Sequence, residues 1–549
     1  MKRRQVLISL GAAAPCLGRS QNLKALPFDY ESPYEDVDWS QTELIHSMSH
    51  QHQGTTDSSR DLFVEMGYRH FAFSNYYPSA PTILPDAFRD SNPEITWAPN
   101  AEQHSFLDSG LHFNSLGSRL ASGYGKYLSS AQRKSSPINY EFEGITIFDE
   151  SRPWEGVYRF DLTLKKVDES ASDDVAAILS LKGANGCARR EGFVDEGPVT
   201  ERSLSVGKHT IYLRSHSDSI GLRLEHNSEH LEVTQCRLMQ GTNRPWRDVF
   251  RAALDGESQG DVKWGGLLHP NGGGITLNHP TGKIGDYLEM LDFDSRVLGI
   301  EVWNQLTSGF GSNRGLYDSM ASPPAHFYEM WDKILATGRQ CWGFFVKDHN
   351  TYGRGRNVLI VPRLADLSST EREAALLCAY RNGTFFGSVA SIAADDEGKA
   401  ISPYDRSDFR FRYIRLRRDG EGRTVAIEAA VAGNDELLRP NVQIRFVTDK
   451  GVAFLVDAAE GTFVLPGRAG DSELPEFIRL EALAYPDTHD GGKPLGPQMI
   501  SKLSVAEVAQ LHDRYAKRGA NFFGNPAELR TPIPIVDQIF SQPIRRVAG

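Results

Sequence analysis

The chain has 549 residues, more than one hydrophobic core normally serves, so three or four domains are expected. With 40% hydrophobic and 24% charged residues it reads as globular, and its 50 glycines and 28 prolines point to a turn-rich, strand-rich chain. A net charge of -11 without a long basic run argues against nucleic acid as a partner.

The N-terminus reads as an address. Lys2-Arg3-Arg4 precedes a short apolar run from Val6 to Ala14, too short for a stable bilayer span, and paired arginines before such a run resemble a twin-arginine export signal. An ordinary secretory signal that happens to hold two arginines is the rival reading. Cys16 follows Ala13-Ala14-Pro15, a poor match for a lipid-attachment site. No later segment has the length and apolarity of a membrane span, so no membrane insertion is expected. Five cysteines are too few for a disulfide framework; Cys187 and Cys236 could pair after export, and Cys341 and Cys378 read as core residues.

The first chemical motif is His50-Gln51-His52. In an extended segment alternate side chains share a face, so both imidazoles could reach one metal ion. The stretch from Met66 to Tyr77 reads as a helix end at Gly67, a buried strand and a loop from Ser74. A second strand, Ile95 to Ala98, leads into Pro99-Asn100-Ala101-Glu102, and a third stretch, Gly110 to Gly117, carries His112. From about 136 to 240 the pattern changes to alternating runs, such as Tyr158 to Leu164 and Thr210 to Arg214, the texture of an inserted β-sandwich. Carbohydrate-binding modules share that texture with structural caps, and we favour a cap. The run Gly273 to Asn278 reads as a buried strand ending at His279-Pro280, which makes His279 a better candidate than His269-Pro270. Leu298 to Asn304 and Trp342 to Asn350 follow as further strands, the latter bringing Asp348. Arg354 and Arg356 come next and could bind a phosphate; they read equally well as loop charges. A helix is expected over 369–380 with Ser369 or Thr370 as cap, strands over 408–484, and a last helix near 504–517 opened by a capping box at Ser504 and Glu507.

Taken in order, H-x-H, P-x-x-E, H-x-N-x-L-G, the strand before His279-Pro280, Glu301-Val302-Trp303-Asn304 and the Asp348 segment resemble the polymerase-and-histidinol-phosphatase (PHP) superfamily of metal-dependent phosphoesterases. Each residue alone has a plainer reading: Glu102 as a solvated loop acid, His112 as a hydrogen-bonded strand residue, His279 as a turn histidine. The resemblance implies an α/β fold, a distorted (β/α)7 barrel whose ligands sit at strand ends. It implies that His50, His52, Glu102 and Asp348 hold one divalent ion, and that Glu102 bridges to a second completed by His112 and His279. Zinc, manganese or iron would suit this mixed donor set. Ser74-Asn75-Tyr76 and Asp348-His349-Asn350 depart from the family pattern where a third ion would bind, so two ions are expected, with Asp57 and His349 as possible additional ligands.

The expected organisation is an export signal over 1–20, a barrel in two parts over 21–135 and 241–398, a β-sandwich inserted over 136–240, a C-terminal β-sandwich over 399–490, and a helix and tail over 491–549. The expected activity is hydrolysis of a phosphate ester, with a small-molecule or carbohydrate phosphate as substrate. The alternatives are hydrolysis of a C–N or C–O bond, and a non-catalytic binding protein on a degenerate PHP barrel. Export through the twin-arginine route to the periplasm or beyond makes a direct prediction. Replacing Arg3 and Arg4 by lysine keeps the charge but removes what that receptor reads, so precursor should accumulate in the cytoplasm. Unchanged export of the double variant in a fractionation assay would reject the assignment.

Overall fold

In the computed structural model, the residues described are 28–52, 63–64, 67–74, 91–103, 108–118, 132–134, 138–145, 156–166, 177–183, 192–193, 201–215, 220–226, 231–240, 245–259, 262–304, 325–348, 355–389, 393–394, 400–401, 408–433, 441–466, 474–485, 488–489, 493–494 and 537–548. The 1–20 segment, Asp57, Asn75, Tyr76, Cys187, His349, Asn350, Arg354 and the expected helix at 504–517 lie outside them.

Apolar runs without alternation become strands buried on both faces. Val297–Asn304 and Trp342–Val346 are buried at every position and lie parallel to each other, and Gly274–Leu277 lies parallel on the other side of Val297–Asn304. Phe113–Leu116 and then Glu102–Gln103 extend this six-stranded sheet antiparallel. A second, eleven-stranded sheet has Thr42–Met48 parallel to Tyr68–Phe71, which is parallel to Thr96–Trp97. On its other side Thr42–Met48 pairs antiparallel with Gly355–Pro362, followed by Phe385–Val389, Asp537–Ser541, Phe477–Tyr485, Ile544–Ala548 and Phe28–Glu31. The two sheets approach closely where Gly387 meets Phe345. A Cβ there would lie 2.0 Å from the ring, so only glycine fits.

Helices cover the sheets. Trp246–Asp255 buries Val249, Phe250 and Ala253 in one core with Ile275, Ile300 and Trp331. Ser369–Asn382 buries Leu376, Leu377 and Tyr380 in another with Ile45, Phe344 and Leu359. Its cap is Ser368, one residue earlier than expected: Ser368 accepts from the Glu371 backbone, and Glu371 returns the bond, a capping box. Gly383 closes the helix at φ 71°, a conformation that costs a glycine nothing.

The distorted (β/α)7 barrel, and with it the α/β class, is not the observed fold. Strands dominate and are divided among several sheets, most pairings are antiparallel, and among the described residues there are four α-helices. A parallel barrel needs a crossover after nearly every strand, and these helices are too few to supply them. The motifs had located strand ends correctly, but strand ends do not dictate how strands are joined. Elsewhere, among the described residues, nine strands from Gln132–Lys134 to Leu231–Gln240 pair with one another, in a five-stranded and a four-stranded antiparallel sheet. The longer strands of the 399–490 segment divide between two sheets. Arg410–Arg418, Thr424–Ala432 and Glu460–Val464 form a three-stranded sheet, while Asn441–Thr448 and Phe477–Tyr485 belong to the eleven-stranded one. The 491–549 segment also ends in strands of that sheet, and its Gln542 side chain braces the Trp342–Val346 strand, accepting from the Gly343 N–H at 2.8 Å and donating to the Gly343 carbonyl at 3.0 Å. Cys341 is buried, whereas Cys378 is partly exposed with its thiol 3.2 Å from the Asn271 carbonyl.

Arg479 joins these parts. Fully buried, it donates to Asp332 at 2.7 and 2.9 Å and to Glu481, and lies over the Trp331 ring. Removing it takes the directly bonded cation from the buried Glu481 carboxylate, so Arg479→Ala should lower the unfolding free energy by about 3–5 kcal/mol. Arg545→Ala, which breaks a bond to the exposed Glu31, should cost at most about 1 kcal/mol. Chemical denaturation of both variants checks this; equal small losses would mean that the Arg479 cluster does not hold the Tyr328–Leu335 helix, which carries Trp331 and Asp332, to the sheet.

Candidate metal centre

The six expected ligands converge where the two sheets meet. His50 and His52 follow the Thr42–Met48 strand, and Asp348 follows Trp342–Val346. A parallel bridge between Gln51 and Asp348 unites them: the His52 N–H donates to the Asp348 carbonyl and the Asp348 N–H to the His50 carbonyl, each at 3.1 Å. Ser74 extends the lock, its hydroxyl accepting from the Gln51 N–H at 3.0 Å and its carbonyl from the Glu102 N–H at 2.9 Å. The other ligands are set by the antiparallel pairing of Phe113–Leu116 with Gly274–Leu277, in which the Asn278 N–H donates to the His112 carbonyl at 3.0 Å.

Two donor groups result. One is His50, His52 and Asp348; the other is Glu102, His112 and His279; in each, the ligand atoms lie within 4.8 Å of one another. Glu102 faces both. Its Oε2 is 2.8 Å from His52 Nε2 and 3.5 Å from His50 Nε2, while its Oε1 is 3.1 Å from His279 Nε2 and 3.3 Å from His112 Nδ1. Asp348 Oδ1 lies 3.4 Å from His52 Nε2 and 3.5 Å from His50 Nε2. The first group is sealed, but His112 and His279 are 30% and 23% exposed, so the second group is the side open to solvent.

The donor chemistry fits divalent ions. Imidazole nitrogens and carboxylate oxygens point at common centres, with His50 Nε2 and His52 Nε2 only 2.8 Å apart. Burial alone would depress the His50 imidazole, but the Glu301, Asp348 and Glu102 carboxylates outweigh it and hold the group well above the ordinary histidine value. His279 is likewise raised, its burial opposed by a hydrogen bond to Glu102 and by the same carboxylates. Such a field attracts positive charge, which protons or metal cations can supply. His279 at φ 24° and Asp348 at φ 52° are the non-glycine residues with positive φ among those described, and strain of this kind, about 1–3 kcal/mol each, is held where the surrounding structure over-determines it.

Some residues stand apart. His269 lies 3.8 Å from Glu373 and belongs to neither group. His70 is buried in a hydrogen-bonded chain with Ser47 and Tyr380, 2.6 Å at each link, and burial pushes its pKa down to about 3, so it is neutral. Arg356 is buried with its guanidinium 3.0 Å from His46 Nδ1, away from the exposed position expected of a phosphate-binding loop residue. The sequence reading assigned no role to Glu301, Asn278 or Asn304. Asn278 donates to Glu102 Oε1 at 2.9 Å, and Asn304 donates to Asp348 Oδ2 at 3.1 Å. A lone carboxylate inside the otherwise apolar Val297–Val302 run was the available signal for Glu301.

Compared with known proteins, the chain matches no protein-family model and no curated sequence.

The geometry predicts a metal count. Wild-type protein should carry two divalent ions per chain; Glu102→Ala removes a donor from both groups and should lose both, and His112→Ala should retain about one. Elemental analysis of purified proteins decides it, and three ions in wild type, or two retained by Glu102→Ala, would contradict the shared-carboxylate arrangement.

Proposed function

We propose that the protein is a metal-dependent hydrolase, acting on a phosphate ester. The observation that carries this reading is the single carboxylate, Glu102, facing both the His50, His52 and Asp348 group and the His112 and His279 pair. His50, His52, Glu102 and Asp348 would hold one ion, and Glu102, His112 and His279 the other. Bound divalent ions at such a pair would supply Lewis-acid polarisation of a phosphoryl oxygen and a water acidic enough to attack at neutral pH.

The chain's own residues do the positioning. The Gln51–Asp348 bridge and the Ser74 bonds hold the first group rigid and buried, which excludes bulk water from that side. The partly exposed His112 and His279 leave substrate an approach from the second group. Asn278 keeps Glu102 Oε1 oriented toward His112 and His279. The choice of phosphate esters rests on the order of ligand motifs, which resembles the PHP superfamily; the barrel that went with that resemblance is not carried over. Among the described residues no helix is long and apolar enough to cross a membrane.

A substrate panel tests the proposal. Purified protein with measured metal content should hydrolyse phosphate monoesters or diesters and lose the activity on chelation, recovering it with zinc, manganese or iron. Turnover of amides or lactones alone would move the assignment to C–N or C–O hydrolysis, and metal-free, inactive protein would favour a binding role.

A further inference from the structure

Glu301 occupies the centre of this arrangement without belonging to either donor group. It stands on Val297–Asn304, the strand flanked on both sides by parallel neighbours, one leading to His279 and the other to Asp348. Its side chain is fully buried. One oxygen, Oε1, lies 2.5 Å from His50 Nδ1. The other, Oε2, accepts from the His279 backbone N–H at 2.6 Å and from the Asn304 amide at 2.9 Å. The same Asn304 nitrogen reaches Asp348 Oδ2 at 3.1 Å. One carboxylate therefore touches a ligand of each group and is one residue removed from a third.

We infer that Glu301 is a positioning residue that couples the two metal groups, so that neither forms at full affinity without it. This rests on the metal-binding reading above and deepens it. Accepting the Nδ1 proton of His50 fixes the tautomer that leaves Nε2 free as a donor, and it fixes the ring plane. Accepting the His279 N–H stabilises a backbone conformation that histidine otherwise avoids, and so sets where the His279 ring points. The pull through Asn304 orients Asp348 within the first group. Two acceptor oxygens are needed at once, because the donors approach opposite oxygens. An amide has one acceptor and one donor, so glutamine at this position must confront either His50 or the His279 and Asn304 donors with an N–H. Aspartate keeps both acceptors on a shorter arm.

The test is metal affinity rather than turnover. Apoprotein prepared by chelation is titrated with Zn(II) against a competing chelator, and with Co(II) followed by its visible spectrum, for wild type, Glu301→Gln, Glu301→Asp and Asn304→Ser. Glu301→Gln should weaken both sites by about 10–100-fold and shift the Co(II) bands, with Glu301→Asp recovering part of the loss. Asn304→Ser, a milder change, should weaken the first site more than the second, and keeps the inference testable if Glu301→Gln fails to fold. Affinities within threefold of wild type in Glu301→Gln, or in Asn304→Ser where Glu301→Gln does not fold, would overturn the coupling; so would weakening of one site alone in Glu301→Gln. Wild-type protein that binds no Zn(II) or Co(II) would instead overturn the metal-binding reading itself.

Discussion

Three carboxylates, Glu102, Glu301 and Asp348, are buried within 3.5 Å of histidine nitrogens, and the rest of the centre is arranged around that fact. Buried carboxylates repel one another and lose hydration, so a fold retains them only with compensation nearby. Here the compensation is imidazole, backbone N–H and side-chain amide. His50 and His279 are driven toward the protonated form, and Asn278, Asn304 and the His279 N–H fill the remaining acceptor positions. Metal ions would replace that protonic compensation with fixed charge at defined points.

The scaffold serves this constraint by tying ligand-bearing loops with main-chain bonds rather than leaving them on free tips. His50 and His52 are locked to Asp348, and Glu102 to Ser74, through peptide groups of adjoining strand ends. Side-chain amides repeat the device one layer down. Asn100 donates to the Ser49 and Ala72 carbonyls at 2.7 and 3.0 Å, and Asn357 braces Ser49 and the Phe345 N–H, each at 3.0 Å. Polar side chains thus occupy the space beneath the centre, while the apolar cores lie behind the sheets and under the helices. The chain's distant C-terminal strands contribute too. Tyr34 donates to the Phe385 carbonyl and accepts from the Gln542 N–H, both at 2.7 Å, which knits the first strands to the last.

Much of the site was legible in the linear sequence because metal chemistry restricts residue type. His50, His52, Glu102, His112, His279 and Asp348 stand at strand boundaries that turn residues and apolar runs reveal, and all six fall into the two donor groups. The strands themselves were visible for the same reason: Gly274–Leu277, Val297–Asn304 and Trp342–Val346 are short apolar runs bounded by turns or polar residues. Glu301 escaped because its function is to accept hydrogen bonds from partners 251, 22 and 3 residues away, a role that no local pattern encodes.

Hydrophobic periodicity and residue chemistry by themselves determined which segments become buried strands, that a helix begins close to Ser369, and which side chains can donate to a metal. Those properties depend on neighbours a few positions apart. Only the tertiary structure decided that the strands form several separate sheets instead of a barrel, that the 399–490 and 491–549 segments feed the same sheet as Thr42–Met48, and that Glu102 directs its two oxygens to different histidine groups. Strand pairing and carboxylate orientation depend on contacts between residues hundreds of positions apart, whose energies are set by packing and burial after the chain has closed on itself.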